Sequence, residues 1–451
     1  MTDLGMLAIL KDAIGRAGLD QVELYCRHSR RGISRFSRTE LNQNAAIDEA
    51  VIHARVAMAG GRIGASTTSV STPDGILGAI RDAAQAARCA PPLADFPGFA
   101  PASPDEPVPR WARSTAEASP SDRAEILRAA LARVREEGLD AAGTLETTQN
   151  DVAVVTTAGA RKFARATAAG ARLFVSGPDS SGFAGAFHRD LAALDVGELT
   201  DRAIERCRRG ASPVALEPGA YDVVLEPEAV TELLEWLAYS SLGAREVEDG
   251  SSALAGRIST RITGDWVTLA DDATDSSELG MGLPFDAEGT NRARVPLIEG
   301  GVAAGVVYDR VHAARAGRPS TGHALPGAVD DGPLPSNLFL AAGDRTMDDL
   351  VGMVERGIYV SRFHYVNGLV DTRRAVMTGM TRDGTFLIEN GRLGRGVANL
   401  RFTDSLLEAL ERVEGATRER RAVPSWYSDG GAHVAPAILV RAFRFTGERA
   451  P

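Results

Sequence analysis

Lysine is nearly missing from this chain: among 50 basic residues only Lys11 and Lys162 are lysines, and the rest are arginine. Use so uniform along 451 residues reads as compositional bias before it reads as phosphate recognition. Cysteine is scarce. Cys26, Cys89 and Cys207 are widely spaced, contain no CxxC pair and rule out a disulfide framework, so reduced thiols in a cytoplasmic protein are expected. No apolar run approaches the roughly 20 residues that span a bilayer. The opening MTDLGMLAILKDAIGRAG mixes charge into its apolar residues, which suits an amphipathic helix and not a signal peptide, and no membrane association is expected.

Familiar catalytic signatures are lacking too. The seven histidines, His28, His53, His188, His312, His323, His364 and His433, include no two within five positions of each other, so none forms a helical ligand pair. There is no GxSxG elbow, and Ser240-Ser241 falls within a helical pattern without an identifiable base. The glycine-rich segments at 300–305 and 391–396 read as hairpin turns, because neither opens a helix as a phosphate loop must. The acidic run LADDATDSSELG, residues 269–280, lacks the glycine and terminal glutamate of a calcium loop and reads as a solvated acidic loop.

What is present is ordinary for a globular protein: 44% hydrophobic and 24% charged residues, in a length that suits two or three domains. A net charge of -10 argues against a nucleic-acid partner. Residues 4–18 predict a helix. Strand-like VELYCRH and a stretch ending at Gly60-Gly61, a hairpin signal, follow it. A helix is expected over 74–88 with Asp74 as a possible cap, then a Pro-rich arm over about 90–120, then a helix from 121 to 137. DVAVVTTAG and ARLFVSG read as strands, and 197–209 as a helix. This order predicts an α+β fold, with an N-terminal α/β domain on an antiparallel sheet over 1–215.

The second half, 216–451, reads as a mostly antiparallel, barrel-like β domain with one long helix. Its strand candidates are RIST, DWVTLADD, RVPLIEGGVAAGVVYD, GIYVSRFHYV, GTFLIENGRLGRGVANLRF and APAILVRAFRFTG, with a long loop over 319–336. In YVSRFHYV, alternation predicts that His364 faces away from Phe363 and Tyr365. In Tyr221–Gly243 a buried strand runs into a helix that has Pro227 in its first turn and Val230, Leu233, Leu234 and Leu237 as its apolar stripe.

Three blocks in this half are 282–309 (GLPFDAEGTNRARVPLIEGGVAAGVVYD), 356–393 (RGIYVSRFHYVNGLVDTRRAVMTGMTRDGTFLIENGRL) and 430–447 (GGAHVAPAILVRAFRFTG). With a looser match over SRFSRTELNQNAAIDEAVIHARVAMAGGRIG in the first half, they resemble the TldD/PmbA family of metallopeptidases in the expected order. The resemblance implies a zinc motif, HExxxH, on the Tyr221–Gly243 helix of catalytic TldD-type members. The matching positions here are Glu235, Trp236 and Ser240. Imidazoles would bind the zinc and the glutamate would act as base, and none of the three positions keeps its residue. The family's distal cysteine ligand is also missing, since no cysteine follows Cys207.

The resemblance therefore implies a TldE (PmbA)-like subunit that is not catalytic alone and holds no metal or other cofactor. Zinc is expected on a TldD-like catalytic partner, in a heterodimer or higher assembly that takes unfolded or modified peptides as extended strands, for leader-peptide removal, maturation or degradation. His323, His364, Asp286 and Glu288 are candidates for peptide contact or, more weakly, for a converged metal site. Two other readings stay open: a self-sufficient peptide or amide hydrolase with a rebuilt site, and a non-enzymatic interaction protein.

Overall fold

The computed structural model describes residues 3–106, 108–277, 279–327, 329–425 and 431–448; Gly430 of the third block and Glu278 of the acidic run lie outside them. The chain builds an α+β fold on two sheets. The first is wholly antiparallel and uses β1 (Val22–Ser37), β2 (Glu40–Met58), β3 (Arg62–Thr68), β4 (Asp140–Thr156), β5 (Arg161–Ser176) and β6 (Ser181–His188) in the order β3-β2-β1-β4-β5-β6. Side chains alternate across a strand, and this sheet uses that alternation cleanly. Leu24, Cys26, Leu145, Ala153, Leu173 and Val175 pack under the helices α1 (Asp3–Ala17), α2 (Pro73–Cys89), α4 (Pro120–Glu136) and α5 (Val196–Arg209), with the single turn α3 (Arg113–Ala116) in the arm. The opposite face, carrying Tyr25, Arg35, Thr144, Val154 and Arg172, turns toward the second half of the chain.

Several local expectations shift. β1 and β2 are separate strands, because Arg38 and Thr39 turn the chain with φ of 51° and 57°, a left-handed turn without glycine. Thr72, not Asp74, caps α2: its side chain accepts from the Gly75 N–H. α4 starts one residue early on a reciprocal capping box of Ser119 and Asp122. The predicted strand RIST is a run of turns, and DWVTLADD contributes only Leu269–Asp271.

The second sheet takes β7 (Gly219–Leu225), β8 (Leu269–Asp271), β9 (Val295–Glu299), β10 (Val302–Ala303), β11 (Leu338–Leu340), β12 (Arg356–Asp371), β13 (Val376–Glu389), β14 (Arg392–Gly396), β15 (Leu400–Ser405), β16 (Val413–Pro424) and β17 (Ala432–Glu448). Pairing runs β17-β15-β13-β12-β7, and β7 pairs again with β17, so these five strands close into a barrel. The closure is mixed, since β12 runs parallel to β7 while the other neighbours are antiparallel. Helix α6 (Pro227–Ser241) lies against the barrel strands, and Val230, Leu233, Leu234 and Leu237 join one large core with Phe363, Phe402, Ile438 and Phe443. No helix among the described residues is long and apolar enough to cross a membrane.

Candidate functional site

α6 begins with Pro227 at its first helical position, where a missing N–H costs nothing. Its apolar stripe faces the barrel core. Residues three and four apart share a helix face, and Glu228, Glu232 and Glu235 follow that spacing. Glu228 and Glu232 open onto a cleft of about 600 Å³ between α6, the first sheet and the barrel. Its floor is the helix-free face of β4, β5 and β6, with Thr144, Arg172, Phe174, Phe183 and Phe187. Arg362 of β12 and Arg420–Pro424 of β16 supply the opposite wall.

Two charged assemblies fix this geometry. Arg362 stacks between the rings of Phe174 and Phe183, at 5.2 and 5.0 Å from their centroids, and donates to Asp383 at 3.1 Å. Below it the fully buried Glu226 accepts from Arg206 of α5, from the Tyr359 hydroxyl, from Ser361 at 3.3 Å and from Arg421 at 3.3 Å. Burial opposes the Glu226 charge, but Arg206 and Arg421 overcome it and hold the carboxyl down at about 2. Arg421 also reaches Glu228 at 3.2 Å. Glu232, in contrast, is pushed up to about 8, by burial first and by the nearby Glu235 charge, against Arg362 and Arg172.

At the positions matching the zinc motif, Glu235 is buried, with its Oε2 2.6 Å from His433 Nε2 and its Oε1 accepting from the Ser425 hydroxyl at 2.9 Å. His433 Nδ1 accepts from the Leu338 N–H at 3.0 Å and so carries no proton, while Nε2 lies against the carboxylate without a well-formed hydrogen bond. Here the acid sits between serine and histidine. A nucleophilic serine needs the histidine next to it, so the trio is structural in form. Trp236 lies over Gly368, and the Ser240 hydroxyl donates to the Trp236 carbonyl at 2.8 Å. A carboxylate already paired, an indole and a back-bonded hydroxyl do not make a zinc site. Among the described residues no cluster of three or more His, Cys, Asp or Glu side chains could hold a metal ion.

The other candidates fall in two places. His323 is fully buried, with Nε2 2.9 Å from Asp271 and Nδ1 2.9 Å from Thr321. Burial works against the Asp271 charge, yet His323 and the Ser336 and Asn337 N–H groups keep that carboxyl at about 2. Asp286 is buried beside it, accepting from the N–H groups of Glu288, Thr290 and Ala324. Burial and the Glu288 charge raise it to about 7. Glu288 closes a buried Glu23–Arg55–Glu288 bridge between the first sheet and the second half. These three candidates thus hold the fold together from inside and present no face to a ligand. His364 is half-exposed on β12, away from the 282–324 cluster. Its neighbours do not share a face: Phe363 is in the core while Tyr365, at φ 51°, is 81% exposed, because a register shift at His364 breaks the alternation.

Sequence reasoning missed the residues that shape the cleft. The signal for Glu232 was present, as the middle carboxylate of a 228/232/235 helical row. Arg35, Arg172 and His433 carry no local signature.

A closed barrel with a buried helix, joined to a helix-backed antiparallel sheet, defines the class, and the comparisons agree. The model of the PmbA/TldA metallopeptidase C-terminal domain matches residues 218–447. The chain belongs to that family. It is 28% identical over 272 residues to a protein of Methanothermobacter thermautotrophicus named metalloprotease, covering 57% of this chain and 58% of the relative. It is 29% identical over 228 residues to a Haemophilus influenzae protein named metalloprotease TldD homolog, covering 49% of this chain and 45% of the relative. The matches thus span less than two thirds of either relative. The crystal structure of TldE from Thermococcus kodakarensis has the same fold, with a TM-score of 0.87 at 21% identity over 97% of this chain and all of that one.

Proposed function

We propose that this chain is the non-catalytic, TldE-like subunit of a cytoplasmic metallopeptidase pair, with the zinc on a TldD-like partner and unfolded or modified peptides as substrates. The observation that carries the reading is the Glu235–His433 pair, which occupies the first zinc position with a carboxylate already committed to a buried histidine. A second feature supports an assembly. From Glu40 to Glu49, β2 is exposed at nearly every residue, and β3 pairs only with Ile52–Met58, so among the described residues the outer edge of this segment has no neighbouring strand. Unpaired edges invite another chain.

The test is co-expression with a homologue bearing HExxxH, followed by zinc analysis and cleavage of an unfolded peptide. One zinc per pair, lost when the homologue's motif is changed and retained in the Glu235→Ala variant, is expected. Stoichiometric zinc in this chain alone would overturn the reading. The alternative of a self-sufficient hydrolase draws on Glu232, a carboxyl near neutrality in the cleft. Cleavage by the lone chain, abolished by Glu232→Gln, would favour it.

A further inference from the structure

The cleft has a charge character opposite to that of the chain. Arg35, Thr144, Arg172 and Gly185 stand in one row across β1, β4, β5 and β6, so all four point to the same face, and all four line the cleft. At about 4.8 Å per strand the two arginines start about 10 Å apart. Both are exposed, and neither side chain has a hydrogen bond or ion pair among the described residues. Arg420, across the cleft, is held by the Leu340 carbonyl at 3.5 Å and by the Phe339 ring, not by a carboxylate.

The acidic groups are otherwise engaged. Glu146 pairs with Arg31 and Glu228 with Arg421. The cleft therefore holds surplus positive charge in a chain whose net charge is -10. Thr144 is the residue between the arginines; Gly170 and Gly185 keep the floor small beside Arg172, and Phe174 and Phe187 flank it. A Cβ on Gly185 would come within 2.9 Å of the Phe183 ring, so the open floor depends on that glycine.

We infer that this cleft binds an extended acidic peptide segment, with carboxylates held by Arg35 and Arg172 and an apolar side chain set against Phe174 and Phe187. The inference rests on the peptide-handling reading above and names the chemistry of the peptide. Guanidinium forks match carboxylates in geometry, and a floor with only the small Thr144 between them and glycines beside Arg172 leaves room for an extended backbone. A nucleic acid fits less well, because a long polyphosphate extends beyond the cleft over a chain whose net charge is -10.

The test uses the full chain alone, since floor and walls come from one chain. A fluorescein-labelled ten-residue peptide of alternating Glu and Leu is titrated and read by anisotropy, beside a Glu-to-Gln version and a version amidated at its carboxy terminus. Binding of the acidic peptide, weakened at least tenfold in Arg35→Gln/Arg172→Gln and weakened by salt, is expected. Loss with the Gln version places the contact on side-chain carboxylates, and loss on amidation places it on the chain end. Arg35→Lys/Arg172→Lys, which keeps the charge, should recover part of the affinity, and an unchanged urea midpoint of the Gln double variant confirms that it is folded. Equal binding to wild type and the Gln double variant, no binding to wild type, or tighter binding of a single-stranded oligonucleotide overturns the inference. A chain that binds the acidic peptide yet never pairs with a zinc-bearing homologue refutes the subunit reading and leaves this one standing.

Discussion

Glu235 and His433 meet at 2.6 Å with both side chains nearly excluded from water, and the Leu338 N–H depends on the same imidazole. His433 accepts through Nδ1 and is therefore an uncharged partner, and leaving a buried polar group of such a pair unsatisfied costs about 1–3 kcal/mol. Glu235→Ala should therefore lose about 1–3 kcal/mol of unfolding free energy in urea at pH 7. His433→Ala should lose more, because it also strands a buried N–H worth about 1–3 kcal/mol. A loss under 1 kcal/mol in both would mean that the pair does not hold α6 to β17.

Glu226 makes the acid limb of stability specific. Its carboxyl lies at about 2 in the folded chain against an ordinary 4.5, so its contribution is complete above about pH 4.5 and is lost as pH falls toward 2. Thermal melts between pH 5 and 2.5 should flatten in Glu226→Gln, which at pH 7 should be about 3 kcal/mol less stable than wild type. Some slope will remain, because Asp271 is also held at about 2 by His323. Hydrogen exchange in α5 should rise first, since Arg206 is the buried ion-pair tie from that helix to the barrel, beside the Arg209 bond to the Leu393 carbonyl.

What could be read from sequence follows the range of each signal. The apolar stripe of α6 and the Gly60-Gly61 hairpin are local patterns, and both are where they were expected. The Arg38-Thr39 turn escaped because left-handed turns are sought by glycine and asparagine. The break of alternation at Tyr365 escaped because a bulge is set by the partner strand, β13. The cleft was illegible for a stronger reason. Ser425 meets Glu235 across 190 positions, and Arg35 reaches the row of Arg172 only through β4, so closure of two sheets decides both.

Glu232 gives the opposite pH signature to Glu226. Its folded value near 8 exceeds 4.5, so its contribution is complete below about pH 4.5 and disappears as pH rises through 8. The groups that face it are Arg172 from β5, Arg362 from β12, Arg421 from β16 and, on its own helix, Glu228 and Glu235. Its deprotonation cancels part of the positive surplus in the cleft. Affinity for the acidic peptide should fall severalfold between pH 6.5 and 9 in wild type and stay flat in Glu232→Gln. A wild-type profile as flat as that of the variant would show that Glu232 does not face the bound carboxylates.

Gly182 tests how α5 is seated on the first sheet. It lies on the helix-facing side of β6, and a Cβ there would stand 2.1 Å from the Ala203 carbonyl oxygen and 2.6 Å from the Cys207 nitrogen. Both obstacles are helix backbone and cannot rotate away. The helix would have to lift, and Arg206, one residue before Cys207, would be drawn off Glu226. Gly182→Ala should therefore cost about 3 kcal/mol, the upper end for an added methyl group in a packed core, and should reproduce the raised α5 exchange of Glu226→Gln. Gly78→Ala is the matching control: that glycine lies inside α2 with nothing within 4 Å of the new atom. There the higher helix propensity of alanine should add up to about 1 kcal/mol of stability. If the two substitutions shift the urea midpoint in the same direction, close backbone contact is not what seats α5 on β6.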